Sequence, residues 1–422
     1  MEEQVLSILQ RSYTVPIRDP LWGHIYLTPG LAALTESVPF MRLNRIFQLG
    51  PACSVYPGAT HTRASHSIGV YHLARRLLLN LTEKGAAGWI SPQGALSFLA
   101  AALLHDLGHF PYTHSLKDLN LEDHETLSGR IILAEPLKSL IGKAGADPEL
   151  TARIIDKSMD TGGKTAGELV FFRRLLSGVL DPDKLDYLNR DARYCGVPYG
   201  AQDVDFIYSR LLPHREWGVE IDSRGIPSVE SILFSKYLMY RTVYWHRQVR
   251  SATAMIKKAL LTGLEKNIIV PEELYGLDDQ GLFALMASRS AFAPFSLAGR
   301  VRDGKLYAES AFFPFEEEKH GALRYIKNRK QQEEALAAEI RSVTGKALDG
   351  ESLIIDVPEA VSFETDLFVR DENCSFGESS SVFKKSAVEA FVKSLRVVRI
   401  FTEIPLAIPE SILQNAKNWL HL

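Results

Sequence analysis

The sequence predicts a mainly α-helical protein with a smaller α+β region toward its C-terminal end. Apolar residues recur at helical spacing through most of the first 265 positions. After about residue 268 that rhythm gives way to Pro, Gly and short apolar runs. A third observation says where chemistry should lie: seven of the twelve histidines fall between His61 and His124.

Taken in order, residues 15–29 (VPIRDPLWGHIYLTP) are broken by Pro and Gly and read as a short hairpin or turn. Helical periodicity covers residues 71–81, 96–104, 169–176 and 183–192, then one long stretch over 232–261. A charged helix is predicted over 322–344, strands over 352–357 and 367–370, and an amphipathic helix over 382–397. The low-complexity patch SFGESSS, 375–381, reads as a surface loop. This gives two regions, 1–268 and 269–422, without internal repeats.

A chain of 422 residues exceeds one compact core. With 46% hydrophobic and 23% charged residues it is neither disordered nor fibrous. A net charge of −3 supplies no global field for nucleic acid or anionic membrane, so neither is an expected partner. The basic and aromatic stripe over 240–258 reads as an interface or phosphate-facing helix rather than a nucleic-acid surface. Cys53, Cys195 and Cys374 lie far apart, which excludes a disulfide scaffold and fits a reducing compartment. No basic segment precedes an apolar one at the start, and the longest apolar run, 95–104, is half a membrane span. The expected location is cytoplasmic.

That apolar run ends in LLHDLGHFPYTHS. His105 and Asp106 fall where Gly108 and Pro111 stop a helix, so both can point into a cavity. Imidazole and carboxylate together suit Mn, Fe, Co, Ni or Zn. His66 precedes another helix, and LDPDKLDYLNRD offers Asp183 as a further oxygen donor. Asp181 can cap that helix, with Pro182 in its first turn, where free N–H groups favour phosphate. Lys184, Tyr187 and Asp191 then share one face: a cation for phosphate, a phenol for a ring or phosphate, a carboxylate for a sugar hydroxyl. Each alone has a plainer reading, as a capped helix end, a core histidine or a solvated face.

In order, HTRASHSIGV, LLHDLGHFPYTHS, DHETLSG and LDPDKLDYLNRD resemble the motifs of the HD-domain phosphohydrolases. The resemblance is greatest to the deoxynucleoside-triphosphate triphosphohydrolase (dNTPase, dGTPase-like) branch and covers about residues 15–265. It implies a helical HD-domain bundle around a metal site. His66, His105, Asp106 and Asp183 would hold a divalent metal: Mn, Fe, Co, Ni, Zn or Mg. Arg63, Lys184, Tyr187 and Lys236 would face the triphosphate, which brings its own Mg. Gln48 and Asp191 would hold the 3′-hydroxyl, with Leu49 against the base. Tyr187 or Tyr244 would exclude a 2′-hydroxyl. His109, His114 and His124 would line the α-phosphate, with His114, then His124, as proton donor. Metal-activated water would attack the α-phosphorus, releasing deoxynucleoside and tripolyphosphate.

Nucleotide-regulated relatives read their activator with an aspartate and an arginine. Glu36 and Asn44 stand there, with Arg45 adjacent, so an activating nucleotide is expected only if these substitutes serve. The resemblance also implies a homo-dimer or homo-tetramer, with residues 237–244 and 382–397 as candidate interfaces. The competing readings are another HD phosphohydrolase (nucleotidase, phosphodiesterase or (p)ppGpp hydrolase) and a nucleotide-sensing HD module without turnover.

Overall fold

The computed structural model describes residues 2–162 and 166–416. Strands β1 (Val15–Asp19) and β2 (Gly23–Leu27) form the expected antiparallel hairpin. Asp19 closes its turn, with Oδ1 accepting from the N–H groups of Leu21 and Trp22 at 2.8 Å each.

Four helices build the centre of the larger region. They are α1 (Arg63–Glu83), α2 (Pro92–Leu104), α3 (His124–Leu133) and α4 (Pro182–Cys195). Each starts on a side-chain cap: Thr62, Ser91, Asp123 and Asp181 accept from backbone N–H groups of the first turn. Helix α2 is apolar on every side, and residues 98–104 are all at 0% exposure. It is therefore the axis around which α1 and its neighbours pack.

Beyond α4 come strands β3 (Leu211–His214) and β4 (Gly218–Ile221), then helix α5 (Ile226–Met239). The predicted long helix is in fact two. Tyr240–Tyr244 forms a π-turn, in which Trp245 N–H donates to Tyr240 C=O at 2.9 Å. The side chain of His246 then caps a new helix, α6 (Arg247–Glu265). Apolar residues continue across the break, so periodicity alone could not reveal it.

The C-terminal region contains β5 (Ala308–Pro314), α7 (Ile326–Thr344), β6 (Leu353–Asp356), β7 (Phe368–Val369), β8 (Cys374–Ser375), α8 (Lys385–Leu395) and β9 (Val397–Thr402). One sheet has the order β5-β9-β6 and the other β3-β4-β7-β8. SFGESSS is not a loop throughout. Ser375 and Glu378 form a capping box over the short helix Phe376–Ser379, and Phe376 is fully buried. The amphipathic helix stops at Leu395 because VVRIFT, rich in β-branched residues, becomes the central strand β9.

Phe363, Leu367, Phe376 and Leu395 join the same core as α1, α2 and α4. A second core joins Phe110 and Leu116 to Met255, Ile256 and Phe401. Tyr237 and Phe391, from the two faces expected to meet another copy, pack against each other within the chain at 4.8 Å between ring centres. Among the described residues no helix is long and apolar enough to cross a membrane.

Candidate metal centre and phosphate pocket

Helices α1, α2 and α4 bring His66, His105 and Asp183 together, with one ligand atom of each within 4.8 Å of the others. His105 Nδ1 donates to Ala102 C=O at 3.0 Å, which leaves the Nε2 lone pair free. That Nε2 is 3.3 Å from Asp106 Oδ1 and 3.9 Å from Asp183 Oδ1. His66 Nε2 lies 2.9 Å from Asp183 Oδ1. Burial alone would lower the pKa of His66, but bonds to Asp183 and Asp186 outweigh it and raise the value to about 10. Burial pushes Asp106 upward, but His109, His105 and Arg63 hold it well below the usual carboxylate range. Two ring nitrogens facing ionised carboxylates fit a divalent metal ion.

The loop after α2 holds its shape through close contacts. A Cβ on Gly108 would stand 2.1 Å from His124 C=O, so only glycine fits. Gly108 N–H donates to Ser128 Oγ, which donates to His105 C=O, both at 2.8 Å. The buried Arg42 guanidinium donates to the carbonyls of Leu107 (2.5 Å), His109 (2.6 Å) and Leu277 (2.8 Å). It thereby satisfies loop carbonyls that no regular element pairs and ties the loop after α2 to the segment at Leu277.

His109, His114 and His124 form a second group whose ligand atoms lie within 4.8 Å of one another. His109 Nε2 and His114 Nε2 share a hydrogen bond of 3.0 Å. Asp106 Oδ1 is 3.1 Å from His109 Nδ1, so one carboxylate touches both groups. His109 is buried, His124 half-buried and His114 exposed, so the trio runs from the interior to the surface. Burial, then the Arg63 cation, pushes His109 and His114 well below the ordinary histidine value. Burial brings His124 to about 4. All three are neutral at pH 7.

The expected phosphate-facing residues are present but engaged. Arg63 Nη1 bonds Asp106 Oδ2 at 2.9 Å. Lys184 Nζ donates to Asp181 Oδ2 (2.7 Å) and Gly178 C=O (2.9 Å) and forms an ion pair with Glu364 Oε2 at 2.8 Å. Lys236 Nζ donates to Ser362 C=O at 2.8 Å and lies over the Phe363 ring. Its pKa is lowered by burial and then by the nearby Lys184 cation. Both lysines are thus gripped by residues 357–367, a strap without regular structure.

Asp191 accepts from Tyr244 Oη at 2.7 Å and pairs with His61 Nε2 at 2.8 Å. Tyr187 is half-buried; burial, then Tyr240 and the carboxylates of Asp183, Asp181 and Asp191, holds its hydroxyl protonated. Gln48 N–H donates to His61 C=O at 3.0 Å, while its buried Oε1 has no partner among the described residues. Leu49 packs with Ala52, Tyr56 and Cys195. Arg45, beside the expected activator positions, pairs with Asp278 at 2.5 Å, and the Asn44 side chain bonds Met41.

Sequence reasoning missed Arg42, His61, Ser128, Asp186, Arg190 and Glu364. Asp186 and Arg190 carried a signal, an acid and a base four residues apart, but that spacing suggests a solvated pair rather than a buried one.

Residues 63–170 match the HD domain family and residues 209–391 the HD associated region. The chain thus carries an HD domain followed by an HD associated region. It is 36% identical over 246 residues to the uncharacterized protein YwfO of Bacillus subtilis, covering 58% of this chain and 54% of that one. It is 26% identical over 295 residues to the deoxynucleoside triphosphate triphosphohydrolase SAMHD1 of Homo sapiens, covering 61% and 47%. The chain spans about half the length of the curated relatives it matches. A crystal structure of a hypothetical protein from Aquifex aeolicus superposes with a TM-score of 0.70 at 25% identity, covering 96% of this chain and 100% of that one. A phosphohydrolase from Bacteroides thetaiotaomicron shares the fold, with a TM-score of 0.69 at 24% identity, covering 92% and 99%.

Proposed function

We propose that the protein is a metal-dependent triphosphohydrolase that splits deoxynucleoside triphosphates into deoxynucleoside and tripolyphosphate. The observation that carries this reading is Asp106, 3.3 Å from His105 on the metal side and 3.1 Å from His109 on the histidine side. The metal donors and the histidine trio therefore meet at one carboxylate. Similarity to SAMHD1, whose name states that reaction, supports the substrate class.

In this reading His66, His105, Asp106 and Asp183 hold the divalent ion. When bound, such an ion would lower the pKa of a water beside it and so would supply a nucleophile for the α-phosphorus at neutral pH. His114 donates a proton to the departing 5′-oxygen once the negative α-phosphate beside it raises the pKa that burial and Arg63 hold down in the free protein. Arg63, Lys184, Tyr187 and Lys236 hold the phosphates, with Lys184 exchanging Glu364 for a phosphate oxygen. Asp191, steadied by His61 and Tyr244, and the free Gln48 Oε1 receive the 3′-hydroxyl. Residues 1–268 would form the catalytic unit, and the region after 268 would add the strap.

The test is product analysis. Purified protein is incubated with Mg and Mn and each dNTP, singly and mixed, and nucleosides are separated from polyphosphates. The expected result is deoxynucleoside plus tripolyphosphate, absent in Asp106→Ala. Monophosphate with pyrophosphate, or no turnover, would overturn the reading. Turnover only in mixtures would indicate an activating nucleotide.

A further inference from the structure

We infer that Asp186 is a positioning residue for the metal centre, and that the N-terminal hairpin, through Asp19 and Trp22, is part of its scaffold. This rests on reading His66 as a metal ligand.

Asp183 and Asp186 lie one turn apart on α4 and grip opposite edges of the same imidazole. Asp183 Oδ1 faces Nε2 at 2.9 Å, while Asp186 Oδ2 faces Nδ1 at 2.8 Å. An ionised carboxylate only accepts, so Asp186 fixes the proton on Nδ1. With Nδ1 committed, Nε2 is the nitrogen available to an ion at the donor cluster.

The carboxylate is itself fully satisfied. Trp22 Nε1 donates to Oδ1 at 2.6 Å, and Arg190 spans both oxygens at 2.8 and 3.0 Å. Arg190 Nη1 bonds Asp19 Oδ2 at 2.8 Å, and Asp19 is the residue that closes the hairpin turn. Asp186 and Arg190 are both at 0% exposure. One cation among Asp19, Asp186 and Arg190 leaves a net negative charge behind His66, which strengthens it as a ligand. A buried charged group is a poor device for stability alone, since apolar residues of similar volume often do as well. It is a good device for holding one ring in one orientation.

The test measures Mn²⁺ binding by titration calorimetry on the full chain, alongside the melting temperature of the metal-free protein. Asp186→Asn should weaken Mn²⁺ binding roughly 10- to 100-fold, the range found for partners of metal-bound histidines. Trp22→Phe and Asp19→Asn should shift affinity in the same direction by less. They carry the test if Asp186→Asn does not fold. The Co²⁺ absorption spectrum should also change in Asp186→Asn. Unchanged affinity in variants that merely melt earlier would overturn the inference and leave the metal site standing. A wild-type protein that binds no divalent ion would instead overturn the metal reading beneath it.

Discussion

Gly69 on α1 lies so close to Asp186 on α4 that an added Cβ would stand 1.9 Å from Oδ1. The same Cβ would come within 2.4 Å of Arg190 Nη2. The glycine therefore sets the separation of the two helices that carry His66 and Asp183.

Gly69→Ala should destabilise the fold by about 1–3 kcal/mol through overpacking. The displaced Asp186 should also weaken divalent-metal binding. Urea unfolding reads the first effect and Mn²⁺ titration the second; a variant with wild-type values in both would mean the helices can part freely.

His114→Ala should lower kcat/KM for a dNTP by roughly 10²- to 10⁴-fold, the usual worth of a general acid. Steady-state kinetics at saturating metal check this. Loss of less than tenfold would move the proton donor elsewhere in the trio.

Glu364→Gln should bind inorganic tripolyphosphate more tightly than wild type, because Lys184 loses a competing carboxylate. Calorimetry with tripolyphosphate separates this from turnover. Weaker binding would mean that Glu364 helps to assemble the pocket.

Arg250 and Asp356 join α6 to β6 through two hydrogen bonds, of 2.8 and 2.6 Å, and both residues are buried. Burial pushes the Asp356 pKa up, but Arg250 outweighs it and the net shift is downward. The native state therefore holds the acid's proton less readily than the unfolded chain does. The pair's stabilisation is complete above the unfolded value, about 3.9, and is lost as pH falls through the lower native value. Asp356→Asn should flatten this acid limb and cost about 1–3 kcal/mol at pH 7, because the buried Arg250 keeps only the longer ion pair to Glu359 at 3.6 Å. Urea midpoints measured from pH 3 to 7 check both.

Much of the fold was legible because its signals are local. Asp181 and Pro182 announce α4, the apolar run announces α2, and Pro and Gly announce the hairpin. The π-turn after Met239 was not legible, because apolar spacing survives an i→i+5 step. Strand β9 was hidden behind an amphipathic helix that runs straight into it. At the site, the ligand types stood out as clustered histidines. Their supports did not, because Arg42, Asp186 and Glu364 act across separations of about 65, 120 and 180 residues. No short-range pattern encodes such contacts.

The strap has a consequence for how the pocket should respond to salt. An open cluster of lysines gathers mobile counter-ions, and an incoming polyanion gains by releasing them, so its affinity falls steeply as salt rises. Lys184 carries a counter-ion that cannot diffuse away, the Glu364 carboxylate of its own chain. An arriving phosphate displaces that tethered group instead of free chloride. Polyphosphate affinity should therefore vary less with ionic strength than the number of cations lining the pocket implies.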